Sequence, residues 1–176
     1  MTDDSYISAT DPDWTRETPL AGRFEPWKYL LAAIRRYQQV VSTRGPARFF
    51  RPWTVLRHRF WSAVCGADIP INAQLGGGLL MPHPNGIVVH PEAQIGPNCL
   101  IFQQVTIGTG TRPGVPRIGG HVDVGAGAKI LGGVRIGDHA RIGANAVVLD
   151  DVPTGATAAG IPARIVAHRK EHHHGA

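Results

Sequence analysis

The chain has only two cysteines, Cys65 and Cys99, so no disulfide framework staples it and no paired-cysteine zinc spacing occurs. Both sit among apolar neighbours and read as reduced core residues. Aromatic residues are scarce, 7% of the chain, which argues against a core built on large rings. No apolar run reaches the length of a bilayer span, and the polar, acidic start MTDDSY is unlike a secretory leader. A soluble cytoplasmic protein is the expectation. Acidic residues are in the minority, 13 against 18 Lys and Arg, so the net charge is +5. That sign attracts anions, whether nucleic acid, an anionic membrane or a phosphorylated cofactor.

Glycine and proline are abundant instead, 22 and 14 of the 176 residues. Such a composition makes turns and small side chains, and the length suits one domain with an appendage. Residues 1–24 are polar without a sustained period and read as a loose arm. An α-helical appendage is expected over 25–66. Pro26 suits a first helical turn, and Tyr29, Leu30, Ala33, Ile34, Tyr37, Val40 and Val41 recur at helical spacing until Gly45 and Pro46. A second helix is expected from about Pro46 to Val64. Trp53, Leu56, Phe60 and Val64 form one stripe on it, and Arg48, Arg51, Arg57, His58 and Arg59 make its other side basic.

From residue 67 to 166 the chain is a repeat. Ile95, Ile101 and Ile107 are six apart, and so are Ile118, Val124, Ile130, Ile136, Ile142 and Val148. Six fits neither a helix face nor simple strand alternation. Hexapeptide periods belong to parallel β-helices, whose rungs stack one upon the next. Three hexads make one rung with three flat faces, each placing an aliphatic residue inward, and adjacent glycines let the chain turn the corner. The register breaks between Ile107 and Ile118, where GTGTRPGVPR reads as an outward loop, a usual place for a site on a rigid scaffold. After Val148 the period is lost, so DDVPTGATAAGIPARIV should close the solenoid, and 167–176 should be a tail whose HHH run binds metal only opportunistically.

The strings GADIPINAQLG, HPNGIVVHPEAQIG, QQVTIGTG, VGAGAKILGGVRIG, RIGANAVVLDDVP and AAGIPARIV stand in this order. The segment from Asp68 to Val166 thereby resembles the serine acetyltransferase branch of the hexapeptide-repeat acyltransferases. The resemblance implies a left-handed parallel β-helix, acetyl-CoA as cosubstrate with no metal, a small-molecule hydroxyl acceptor, and a homotrimer, alone or paired. It implies His83 as general base and Asp68, fifteen residues earlier, as its orienting carboxylate. That pairing is chemically sensible. An alcohol must lose its proton as it attacks a thioester, and an imidazole titrating near neutrality can take it while a carboxylate fixes its tautomer. The resemblance further places Ala126, Gly127 and Ala144 along the pantetheine groove and Gly108 and Thr109 near the thioester, with a backbone N–H there for the oxyanion. Arg141, then Lys129 or Arg164, would meet the cofactor's phosphates. His90 and His121 are each a candidate second base or acceptor ligand, though surface-turn roles suit them better.

The chain departs from the family's serine-binding pattern. Pro82 stands where an aspartate usually precedes the histidine. The loop reads RPGVPRI, shorter than usual, with Val115 in place of the histidine of an Arg-His carboxylate clamp; Arg112 or Arg117 are the candidate substitutes. The expected activity is therefore acetyl transfer to a hydroxyl, of serine or a related hydroxy acid in cysteine synthesis, or alternatively of a sugar in polysaccharide or natural-product assembly. A non-catalytic scaffold whose basic helices touch nucleic acid or membrane is a third reading, against which the intact Asp68 and His83 argue. A carbonic anhydrase type is disfavoured because the coils lack its histidine spacing.

Overall fold

A computed structural model describes residues 7–42, 49 and 51–168. The hexad register folds into a three-sided prism of parallel strands, the left-handed parallel β-helix that the repeat calls for. Face 1 stacks β2 (Val88–Val89), β5 (Thr106–Gly108), β8 (Lys129–Leu131) and β11 (Val147–Val148). Face 2 stacks β1 (Gln74–Leu75), β3 (Gln94–Ile95), β6 (Arg117–Ile118) and β9 (Arg135–Ile136). Face 3 stacks β4 (Leu100–Ile101), β7 (Asp123–Val124), β10 (Arg141–Ile142) and β12 (Ala156–Gly160). The final strand β13 (Ala163–His168) turns back antiparallel to β12, so the predicted closing segment ends the solenoid as a hairpin.

All nine aliphatic residues of the hexad series are buried, none more than 5% exposed. Like stacks on like, for example Ile118 on Ile136 and Ile130 on Val148, eighteen residues apart. A second inward column lies two residues before the first: Ala93, Cys99, Val105, Val122, Ala128, Val134, Ala140 and Ala146. These small side chains fill the narrow corners beside the aliphatic wedges. Cys99 is one of them, and burial pushes its thiol up to about 12. Among the described residues, five that are not glycine take positive φ at the corners, Asn98, Gln104, His121, His139 and Asn145.

The appendage is two helices, α1 (Pro26–Ser42) and α2 (Arg51–Cys65). α1 buries Trp27, Leu30, Leu31, Ala33 and Ile34, and its Arg35 donates to the carbonyls of Leu75 and Gly76 at the first coil. α2 is described from Arg51; the expected start at Pro46 falls in the segment 43–48, which with Arg44 and Arg48 lies outside the described residues, as does the histidine tail. The Trp53–Leu56–Phe60–Val64 stripe exists, but it faces outward, with Trp53 66% exposed. The inner side carries Thr54 and Cys65. No described helix is long and apolar enough to cross a membrane.

The amino-terminal arm, expected loose, is docked over its described part. Asn98, at a corner of the second coil, donates through Nδ2 to the carbonyls of Ser8 and Asp11 and accepts at Oδ1 from the Asp13 N–H. Glu17 accepts from Arg35 and from the Leu79 N–H. Polar composition hid this, because the contacts are hydrogen bonds to a corner and not a hydrophobic stripe.

Candidate active site

The prism has three edges, and the candidates for base, pantetheine groove and oxyanion fall on or beside two of them. The edge joining face 3 to face 1 begins at Gly66 and passes through the turns 81–86, 102–105, 125–128 and 143–146. Main-chain bonds tie these turns coil to coil: Gly86 N–H to Gly66, Gln104 to Asn85, Gly127 to Gln103 and Asn145 to Ala126. Asp68 and Val88 are bridged in parallel just beyond this edge. His83, Ala126, Gly127 and Ala144 therefore share one column, and His83 sits in its widest turn. The coil through His83 spans twenty residues between partners, Leu80 to Leu100, instead of eighteen, so its corner bulges outward. Pro82 and His83 are exposed, as is Asp68. No hydrogen bond or ion pair joins Asp68 to His83 within the single chain among the described residues.

The loop occupies the next edge, between faces 1 and 2. Strand partners across it lie twenty-three residues apart, Ile95 to Ile118, as the broken hexad period requires. Gly108 ends β5 and leads into it. A Cβ placed on Gly108 would meet only Thr106 Cγ2, at 4.0 Å, so the surface above it is open. Thr109 is exposed. Arg112 is held by Asp151, Nη1 to Oδ1 2.8 Å, and Asp151 also accepts from the Arg135 N–H. That backbone bond first, and then Arg112, hold the Asp151 carboxyl below its ordinary value of 3.8. Arg117 projects from face 2, stacked between Gln94 and Arg135. The two arginines considered for a carboxylate clamp are thus on the far side of face 1 from His83 within one chain.

The remaining cations are spread along the prism. Arg141 on face 3 lies 3.6 Å from Asp123. Lys129 donates to the carbonyls of Gln104 and Gly127, bracing the His83 edge. Arg164 faces Asp150 at 3.7 Å. His90 takes a turn role, accepting the Glu92 N–H at Nδ1. His121 is buried against His139, with their Nδ1 atoms 2.8 Å apart, on the third edge beside Asn98. One of those nitrogens must donate and the other accept, which suits a structural pair. Sequence reasoning missed Gln103. It lies on the His83 edge with Oε1 buried and without a donor among the described residues. An acceptor left so is a place for a ligand or a neighbouring chain to donate. Among the described residues no group of three or more metal-ligating side chains converges.

A three-sided solenoid with small residues ranked along one edge beside a histidine is the arrangement expected of a hexapeptide-repeat transferase. The family model "Bacterial transferase hexapeptide (six repeats)" matches residues 116–150. The chain is 46% identical over 106 residues to the serine acetyltransferase of Synechococcus elongatus, covering 58% of this chain and 43% of that protein. It is 36% identical over 153 residues to that of Staphylococcus aureus, covering 85% of this chain and 67% of that protein. Among solved structures, a serine acetyltransferase in complex with CoA superposes with a TM-score of 0.69 at 35% identity, over 81% of this chain and 58% of that one. The Brucella abortus serine acetyltransferase with coenzyme A gives 0.71 at 32% identity, over 82% and 57%. The chain belongs to the serine acetyltransferase family. It spans about half the length of several curated relatives it matches, 43% and 53% for the two cyanobacterial enzymes.

Proposed function

We propose that the protein is an acetyl-CoA-dependent O-acetyltransferase of the serine acetyltransferase type, with His83 as general base. The observation that carries this reading is the ladder of main-chain bonds that ranks the His83 turn, Ala126, Gly127 and Ala144 on one edge. Solved relatives in complex with CoA support the choice of cosubstrate. The small residues let an extended pantetheine arm lie against the backbone, and Gln103 Oε1 offers an acceptor to it. Arg141, which faces Asp123 at 3.6 Å, would turn from that carboxylate to meet the cofactor's phosphates.

In the proposed reaction His83 takes the hydroxyl proton as the acceptor oxygen attacks the thioester carbonyl carbon. Asp68 would hold the imidazole and stabilise the cation that forms, which requires the two exposed side chains, not bonded to each other in the single chain, to turn together. The carbon–sulfur bond then breaks, and the imidazolium returns its proton to the departing thiolate of CoA. A main-chain N–H near Gly108 or Thr109 would steady the oxyanion. Those residues lie across face 1 from His83, so a groove between two prisms would bring one copy's His83 edge against another's loop edge. This split supports a trimer with three shared sites. Two reduced core cysteines support a cytoplasmic setting.

A sugar-type hydroxyl acceptor is the second reading, favoured by one observation: Arg112 is engaged by Asp151 and Val115 replaces the clamp histidine, so no loop pair is free to hold an amino-acid carboxylate. The test is His83→Ala, assayed by CoA release from acetyl-CoA with L-serine and with a sugar panel. Transfer should fall by about 10²–10⁴-fold on whichever acceptor is used. A variant rate close to wild type would overturn the assignment, and a native mass of one chain would overturn the shared groove.

A further inference from the structure

Where the last turns of α2 meet the first coil, a notch of about 500 Å³ opens, lined by His58, Arg59, Ser62, Gly66, Asp68 and Val88. It adjoins the His83 edge, because Gly66 and Asp68 are bonded across to Gly86 and Val88. Its wall is rigid. His58 Nε2 donates to the Ile69 carbonyl at 2.8 Å, which fixes that nitrogen as protonated, and Ser62 Oγ donates to the Ala67 carbonyl at 2.8 Å.

Arg35, Arg51, Arg112 and Arg164 each reach an acceptor or a ring in the fold. Arg59, like Arg36, Arg57, Arg117 and Arg135, reaches none among the described residues, but it alone of these lines the notch. It is exposed at the rim. The notch therefore holds one carboxylate, Asp68, and one unspent guanidinium. That gives a bound molecule a direction: an anionic group is repelled at the Asp68 end and attracted at the Arg59 end.

We infer that this notch is the acceptor subsite, and that Arg59 receives an anionic group, carboxylate or phosphate, carried by the acceptor away from its reacting hydroxyl. The inference rests on the acetyltransferase reading, which places the hydroxyl at His83, next to Asp68. It also accounts for where an anion goes when Arg112 is engaged by Asp151. The cation comes from the helical appendage instead of the loop.

The experiment pairs acceptors that differ only in the anion: L-serine with L-serinamide, glucuronate with glucose, and glucose 6-phosphate with glucose. CoA release is followed for wild type, Arg59→Gln and Arg59→Lys. The expected result is a higher kcat/KM for the anionic member of at least one pair, and its identity separates carboxylate from phosphate. Arg59→Gln should raise KM for that member by about 10- to 100-fold. Its KM for acetyl-CoA and its rate on the neutral partner should not change, and Arg59→Lys should recover part of the loss. Equal losses on both members, no loss on either, a preference for the neutral members, or no turnover of any anionic acceptor would overturn the inference. His83→Ala on the same acceptor keeps the two ideas apart: an active His83 variant defeats the acetyltransferase reading, whereas an inactive one with indifferent Arg59 variants defeats only the subsite.

Discussion

Asn98 is a sharp test of how the amino-terminal arm is held. Its buried side chain makes three hydrogen bonds to arm main chain, at 2.7, 2.8 and 2.8 Å, and its own φ is 60°. Each such bond contributes about 0.5–1.5 kcal/mol net. Ser8 is half-buried and Asp11 exposed, so water can replace part of what is lost, and the low half of that range applies. Three bonds then give about 1.5–3 kcal/mol. Alanine in the left-handed region adds about 1 kcal/mol of strain, which glycine avoids. Asn98→Ala should therefore destabilise by about 2.5–4 kcal/mol, and Asn98→Gly by about 1 kcal/mol less. Chemical denaturation at one fixed protein concentration gives the values, because a linked assembly makes stability concentration-dependent. Proteolysis within residues 7–20 should speed up in both variants. Asn98 lies on the edge between faces 2 and 3, away from His83, so KM for acetyl-CoA should not move. Both variants unfolding within about 0.5 kcal/mol of wild type would show that the arm is not held by this residue.

Two further outcomes follow from titrating groups. Burial pushes the Cys65 thiol up to about 11 and the Cys99 thiol up to about 12. At pH 8 neither should react with a disulfide reagent in the native protein, and two thiols should appear on denaturation; a fast native thiol would contradict the packing. Asp151 has its folded pKa depressed below 3.8, by the Arg135 N–H first, so its stabilising contribution is present above 3.8 and is lost as pH falls through the lower folded value. Loop 109–116 should then loosen below that pH, seen as faster hydrogen exchange, and Asp151→Asn should loosen it at neutral pH; an unchanged loop in that variant would show that Arg112 is tethered elsewhere.

The solenoid was legible because a rung is a strict geometric repeat. A six-residue period fixes which residue points inward at Ile95, Ile118 or Ile142 without reference to anything distant, and the eleven-residue interval before Ile118 locates the loop. The docked arm and the partnering of Arg112 were not legible. Both depend on side chains meeting across long stretches of chain, Asn98 with Ser8 and Arg112 with Asp151, where no periodicity exists. The α2 stripe shows a different failure. Trp53, Leu56, Phe60 and Val64 are apolar at the right spacing, yet periodicity cannot say whether a stripe faces its own chain or something beyond it. Of the site, the edge carrying His83 followed from matched strings, but Gln103 and Arg59 did not. What marks them, among the described residues, is an unfilled acceptor at Gln103 Oε1 and an unpartnered guanidinium at Arg59, which only the folded chain can show.

On the proposed function, the two enlarged coils are where this repetitive scaffold would acquire its chemistry. Strand partners eighteen residues apart leave no slack, since every corner is packed on the one below it. A Cβ at Gly125, for instance, would fall 2.6 Å from the Ala144 nitrogen. Extra residues can only leave at an edge, and here they do so twice, around His83 and between Gly108 and Arg117. The two departures are on different edges, so no single prism can close them around one substrate. Two parallel prisms set side by side can, because face 1 of each separates its own histidine from its own loop. Mixing His83→Ala subunits with subunits altered at Gly108 would then restore sites in which one copy supplies the histidine and the other the loop. Activity regained on mixing two inactive variants is what a shared groove demands, and its absence after subunit exchange would confine the chemistry to one chain.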